Sequence, residues 1–516
     1  MDNDNKYWIH EDYFIFKPEF NKPIRNYIEV IKNSKKLIFS DYTDFNVNIK
    51  HLQNNMDDDD YDYDYYFGSK FNKPLTNLFG QLSMLTKLTF GFAFDRPLLN
   101  SLDKLLELEE LTFGEKFNTY LGNSMDQLIN LKKLTFGYSF NTPLSNSLGK
   151  LTGLEELTFG WGFNQRITGS IYQLIELKKL TFGYSFNQSI CEELSELENL
   201  THLILSVKFT EYYPENSFVN LTHLNCGRGE QDINLKFIEQ SVNLICLILP
   251  TEFNTPLSNS LDKLINLKQL IFGDCFNQPL SNSLNQLINL EELTIGWAFK
   301  QPLDCSLNNL VKLKKLTLTK NGHFDQPLTD SLNNLIMLEE LTIETYFNQP
   351  LNNSLFQLIN LEKLTFGAEF NQPLDNSLEK LINLDKLTFG KEFNQPLTSS
   401  LYYLKKLTHL TLGYKFNENI FLPPNIKILS MSCENQYLIE SLPNSIEELN
   451  FLNPFYGCYL NLSLGNLPNS IKKISFDKKL NYDCELNNLP KSLELLKLPD
   501  NYVFEIKNIP TNCKII

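Results

Sequence analysis

Phe-Asn dipeptides recur along the chain at a fixed interval, and the apolar positions between them keep the same order each time. Starts at Phe71, Phe94, Phe117, Phe140, Phe163, Phe186 and Phe209 are 23 residues apart. A second run begins at Phe253 and continues through Phe276, Phe299, Phe324, Phe347, Phe370, Phe393 and Phe416. Its steps are also 23, except one of 25 where residues 320–323 lengthen a loop. In the unit starting at Phe370 the apolar positions are Leu374, Leu378, Leu381, Leu384, Leu387 and Phe389. The spacing of three in Leu378, Leu381 and Leu384 predicts a short α or 3-10 turn. Ser377 stands where it can cap that turn. Asn383, matched by Gly153 in another unit, stands where a left-handed closing residue would serve. Leu387-Thr388-Phe389 alternates inward and outward, as a short strand does. Gly390 then permits a turn, and Pro373 presets φ on the far side.

One such unit cannot stand alone. Ordering its backbone costs more than burying its few apolar side chains returns, so neighbouring units must cover its faces and pair its strand. A fixed period with fixed apolar columns therefore predicts stacked coils with one parallel sheet. Along the chain, residues 1–70 read as degenerate repeats. Phe20-Asn21-Lys22-Pro23-Ile24 matches the motif, with Ile28, Ile31, Leu37 and Phe39 in register. Phe45-Asn46 opens a further unit that closes at Phe67-Gly68. Residues 56–66 (MDDDDYDYDYY) interrupt it, and clustered like charge predicts a solvated loop without calcium-loop spacing. Residues 71–208 are regular. Residues 209–252 are irregular but keep the strand leucines Leu221, Leu224, Leu244, Leu247 and Leu249. Residues 253–415 are regular again, and 416–516 repeat the variant LPNSIEEL, LPNSIKKI, LPKSLELL. The strand column continues throughout, which predicts one continuous solenoid whose C-terminal edge is exposed or covered by another chain.

The strand segment LxxLxF resembles the leucine-rich repeat. The full unit resembles the FNIP repeat, a leucine-rich-repeat relative known from social amoebae and from giant viruses that infect amoebae. The motif residues are Phe-Asn-Gln-Pro-Leu at 276–280, 347–351, 370–374 and 393–397, with Leu-Thr-Phe-Gly at 88–91, 111–114, 134–137, 157–160, 180–183, 364–367 and 387–390. The resemblance implies an α/β repeat fold: a leucine-rich-repeat-like solenoid with a parallel β-sheet on one face and short helical or 3-10 turns and loops on the other. It also implies an asparagine ladder, although here the Asn follows Phe, five residues after the strand. Some relatives carry an F-box at the N-terminus, which makes a substrate-recognition subunit of a ubiquitin ligase the alternative function. No F-box pattern is visible in residues 1–45.

Charge and chemistry narrow the function. The net charge of −15 argues against a phosphate-binding surface, so no nucleic-acid partner is expected. No apolar run reaches membrane-spanning length, and the acidic start MDNDNKYWIHEDYF has no secretory pattern. The nine cysteines are scattered without a CxxC pair. Together these features predict an intracellular, cytoplasmic protein, in the host cytoplasm if the source is viral. Motifs for a nucleophile elbow, a phosphate loop, a zinc protease or a dinucleotide site are missing. His202, His223 and His409 share one column, and the first two fall in adjacent coils, but no third metal ligand accompanies them. No catalytic residue, metal or cofactor is expected.

Two columns carry more. Glu109-Glu110, Lys132-Lys133, Glu155-Glu156 and Lys178-Lys179 alternate in sign, as do Glu291-Glu292, Lys314-Lys315 and Glu339-Glu340. Stacking would set opposite charges side by side and disfavour slipped registers. The position after the strand glycine holds Phe92, Tyr138, Trp161, Tyr184, Trp297 and Tyr414, whereas the outward Thr column is uniform. Aromatics are common interface anchors. The reading is a non-catalytic repeat scaffold for protein–protein interaction, with Tyr138, Trp161, Tyr184 and Trp297 as candidate partner-binding residues.

Overall fold

The computed structural model describes residues 6–43, 68–75, 77–167, 169–190, 194–209, 219–227, 235–318, 322–343, 346–397, 400–453 and 458–516. The fold is a parallel β-solenoid of about 19 turns with few helices. It divides into two units, Met1–Leu244 and Ile245–Ile516.

Each regular coil contributes one short strand. In the first unit Lys133–Thr135, Glu156–Thr158 and Lys179–Thr181 run parallel, with Leu134, Leu157 and Leu180 side by side. The leucines are fully buried, and the threonines at the same strands are half-buried on the outer face. In the second unit Glu292–Ile295, Lys315–Leu318, Glu340–Ile343 and Lys363–Phe366 repeat the arrangement. Register follows the 23-residue period because each core column must meet its own kind in the next coil.

The far side of the coil is a chain of tight turns. In the Phe370 coil the N–H groups of Ser377, Glu379, Leu381 and Leu384 donate to the carbonyls of Leu374, Asn376, Leu378 and Leu381, each three residues back. These bonds are of 3-10 type but do not run on as a helix. Ser377 does not cap them. Its hydroxyl donates instead to the carbonyl of Asn352 in the preceding coil, at 2.9 Å. Asn383 and Gly153 are not left-handed either. The Asn383 amide donates across coils to the Ile359 carbonyl at 2.8 Å, and Asn130, Asn289 and Asn360 do the same in theirs. The left-handed position follows the Pro-Leu pair. Ser145, Ser281, Thr329, Asn352 and Asp375 occupy it with φ between 34° and 49°, a region that costs an L residue roughly 1–2 kcal/mol.

Gly390 is required for a different reason from the turn expected of it. A Cβ there would lie 2.0 Å from the Gly367 carbonyl oxygen. The same holds along Gly114, Gly137, Gly160 and Gly183, where a Cβ would meet the previous glycine's oxygen at 1.9–2.1 Å. The glycine column lets successive backbones touch just beyond the strand.

Behind the sheet, two phenylalanine columns stack. The Phe-Asn rings of Phe117, Phe140, Phe163 and Phe186 repeat at 5.9–6.0 Å with planes within 7°. The strand-end rings Phe113, Phe136, Phe159 and Phe182 repeat at 5.5–5.7 Å. Within a coil the two columns touch, as between Phe136 and Phe140 at 4.0 Å. Phe140, Phe276 and Phe370 are all fully buried. The asparagine ladder lies beside this spine. Asn141, Asn164 and Asn187 each donate a backbone N–H to the side-chain Oδ1 of the Asn one coil earlier, at 2.8 Å. Gln165 and Gln188 add a second donor to the same oxygens at 3.1 Å. The motif Phe-Asn-Gln thus pairs the backbone N–H beside the spine with its own side chains from coil to coil.

The N-terminus departs from the repeat. Tyr7–His10 pairs antiparallel with Tyr13–Phe16 around Glu11, whose φ is 53°. Tyr13–Phe16 then pairs parallel with Lys36–Phe39. This hairpin sets an antiparallel strand outside the first parallel one. Lys36–Phe39 in turn pairs directly with Lys87–Thr89. Phe20 stacks on Phe71 at 5.8 Å, and the Asn72 N–H donates to Asn21 Oδ1 at 3.1 Å. The coil that Phe45-Asn46 suggested falls between Thr43 and Gly68. Residues 44–67, the tract included, lie outside the described residues. Asp41 accepts the N–H groups of Ser69 and Phe92 at 2.5 and 2.8 Å. Burial pushes its carboxyl above the ordinary value, and those two amides pull it back.

In the irregular segment, His223–Asn225 pairs parallel with His202–Ile204, and Lys236–Gln240 forms a short helix. Cys246–Ile248 pairs with Gln269–Ile271. The variant C-terminal coils keep the strand column through Glu448–Phe451, Lys473–Phe476 and Leu495–Lys497. The last strand, Lys514–Ile515, is exposed.

Candidate functional site

The strand period sets every surface column, so side chains 23 residues apart become neighbours. The charge columns pair as their signs require. Lys87 meets Glu110 and Lys133 meets Glu156, both at 2.9 Å. Lys132 meets Glu109 at 3.0 Å, and Lys178 meets Glu155 at 2.7 Å. In the second unit Glu291 bridges Lys268 and Lys314 at 3.0 and 2.8 Å. The Lys314 contact is the larger cause of a lowered Glu291 pKa. Alternation fails at Lys363 and Lys386, which stand opposite each other. Such exposed pairs add little stability, so their effect is on register.

The histidine column closes on itself. The rings of His202 and His223 stack at 4.1 Å with planes 8° apart. Each Nδ1 lies 2.9 Å from the hydroxyl of the preceding threonine, Thr201 or Thr222. Burial lowers both pKa values, and for His202 the neighbouring His223 and Lys179 lower it further. No group of three His, Cys, Asp or Glu that could hold a metal ion occurs among the described residues. Burial pushes the Cys226 thiol up to about 12 and the Cys433 thiol up to about 11, which leaves both as inert packing groups.

The aromatic column is brought together as the period requires. Tyr138 stacks on Trp161 at 5.6 Å, and Trp161 on Tyr184 at 4.1 Å with planes 3° apart. Lys208 covers the next face of Tyr184 at 5.4 Å. The backbone beneath is laddered: Ser139, Gly162 and Ser185 donate to the carbonyls of Glu115, Tyr138 and Trp161. Tyr138 and Trp161 stay 53% and 46% exposed, so stacking covers their faces and leaves their edges to solvent. Trp297, in the second unit, is 45% exposed and packs on His323 at 4.9 Å. His323 continues to Tyr346 at 4.7 Å. The sequence pattern missed these last two, because each stands one residue before its Phe and the rest of the column stands two before.

Coils of this construction, with parallel strands on one side, inward leucines and turns behind, define a leucine-rich-repeat-like solenoid. Residues 461–501 match the FNIP Repeat family. The chain is similar to CroV588, a circular leucine-rich-repeat protein of a giant virus, at 25% identity over 99% of this chain and 76% of that one, with a TM-score of 0.66. It shares its fold with the leucine-rich-repeat protein LIC12759 of Leptospira interrogans, at 23% identity over 70% and 86% of the two chains and a TM-score of 0.52. It also shares it with TLR13, solved in complex with ssRNA13, at 16% identity over 96% and 70% and a TM-score of 0.57. No curated protein matches the sequence at a significant level. No helix among the described residues is long and apolar enough to cross a membrane.

Proposed function

We propose that this chain is a non-catalytic scaffold that binds a protein partner through the aromatic stripe Tyr138, Trp161 and Tyr184, with Trp297 as a second anchor. The carrying observation is that Trp161 is clamped between Tyr138 and Tyr184 yet half exposed. An aromatic already immobilised loses little entropy when a partner covers it, which is the property of an interface anchor. Nucleobase binding is disfavoured by the same geometry. Bases stack on open ring faces, and both faces of Trp161 are taken by its neighbours. The net charge of −15 points the same way.

The test is the Trp161→Ala, Tyr184→Ala double variant. Both side chains lie on the surface, so far-UV dichroism and thermal unfolding should stay close to the parent's. Parent and variant are used as paired baits in amoeba cell extract, with bound proteins quantified by mass spectrometry. Proteins retained by the parent and depleted about tenfold or more on the variant are the expected result, since anchor truncation typically costs 2 kcal/mol or more. Identical bound sets would make the stripe a structural rim.

A further inference from the structure

The turn side of the second unit carries an apolar ridge that the strand-side columns do not explain. One position per coil, just after the third leucine of the turn side, holds Ile265, Ile288, Val311, Ile336, Ile359 and Ile382. All six are exposed, by 46–56%. Adjacent coils set them side by side, so the ridge crosses six successive coils. It is held firmly, because Asn289, Asn360 and Asn383 donate to the backbone carbonyls of Ile265, Ile336 and Ile359 at 2.8 Å.

Along its four middle coils the flanks are almost free of charge, whereas Asp262 and Lys263 flank its first coil and Glu379 and Lys380 its last. From Asn285 to Asn360 the positions beside the ridge are Asn, Gln, Met or Phe, with one exception. That exception, Lys312, donates its ammonium to Asn289 Oδ1 at 2.7 Å. The same column in the first unit is different. Thr152 and Glu198 interrupt it there, and Glu107, Asp126, Lys150 and Glu176 flank it. Depletion of charge around an apolar centre distinguishes an interface core from ordinary surface.

From this we infer that the Ile265–Ile382 ridge is a self-association surface, occupied by the same ridge of a second copy of this chain. Three features select that occupant. A second copy has the same coil spacing, so all six side chains can find partners at once in a two-fold contact. The nearly uncharged middle four coils let two molecules of net charge −15 approach there with few like charges facing each other, and the end coils carry both signs, in Asp262 with Lys263 and Glu379 with Lys380. The ridge also exposes apolar surface on the order of 500 Å², near the upper end for a typical monomer's largest patch. A stable interface needs about 800 Å² per partner, which the flanking Asn and Gln side chains complete as a polar rim.

Sedimentation of the full chain over a concentration series tests this. The parent's weight-average mass should rise from 60.0 kDa toward twice that value. The Val311→Glu, Ile336→Glu variant should stay at the monomer mass, with association weakened at least about tenfold by charges buried at the centre. Ile129→Glu with Ile175→Glu, in the interrupted column of the first unit, should behave as the parent. Should glutamate disturb folding, Ile288→Ser with Ile359→Ser gives the same reading through loss of apolar area alone. A parent that remains monomeric, or a ridge variant that associates as the parent does, overturns the proposal. So does a monomeric parent that binds neutral lipid vesicles through the ridge.

Discussion

Gly160→Ala should destabilise the first unit by about 3 kcal/mol or more, although it adds a single methyl group. The new Cβ would sit 2.0 Å from the Gly137 carbonyl oxygen, 2.3 Å from its carbon and 2.9 Å from the Phe136 oxygen. Every obstructing atom is backbone, so no side chain can swing aside, and relief requires the coils to part. Parting them would strain the strand pairing of Glu156–Thr158 with Lys133–Thr135 and the stacking of Phe159 on Phe136. Gly153→Ala is the matched control, because its Cβ would meet the Ile129 oxygen only at 3.4 Å. Removing that glycine's backbone freedom should leave stability unchanged or slightly raised. Urea unfolding of the two variants beside the parent checks both. Equal midpoints for Gly160→Ala and the parent would mean that the backbones do not approach this closely.

Phe370→Ala should cost about 3–5 kcal/mol, the usual range for deleting a buried ring. The ring is fully buried and stacks on Phe347 at 5.9 Å, Phe393 at 6.0 Å and Phe366 at 4.1 Å. Neighbouring coils cannot collapse into the cavity, because the strand ladder fixes their spacing. In a repeat array each coil contacts chiefly its neighbours, so the loss should appear first as local opening. Hydrogen exchange at Leu364, Leu387 and Leu410 should accelerate, while exchange at Leu270 stays at the parent's rate. Unchanged protection around Phe370 would remove the ring from the core.

Much of this was legible in the sequence, because a period of 23 converts distance along the chain into adjacency. The strand leucines, the buried Phe column, the alternating charges and the contact of Trp161 with Tyr138 and Tyr184 all follow from it. What was misread depends on bonds between coils, which reading one unit alone conceals. Ser377 and Asn383 looked like local caps, but their partners are carbonyls of the preceding coil. The left-handed residue lay hidden at Asp375 and its equivalents, because Ser, Thr, Asn and Asp stand there where glycine was the expected marker. The aliphatic ridge escaped notice because Ile265 and its equivalents stand outside the leucine columns, at a position that the first run fills with residues as different as Ile129, Thr152 and Glu198. The turn geometry points them outward.

Along the regular runs residue n lies beside residue n + 23 in the next strand. Paired cysteine substitution tests it most directly. Thr158 is registered against Thr181, and Thr181 against Ile204. Registered neighbours in adjacent strands sit about 4.8 Å apart, within disulfide reach, whereas residues two coils apart sit near 9.6 Å, beyond it. Under mild oxidation Thr158→Cys with Thr181→Cys should form an internal disulfide, detected by peptide mapping. Thr158→Cys with Ile204→Cys should not. Linkage of the second pair in preference to the first, or of neither pair, would contradict the stack.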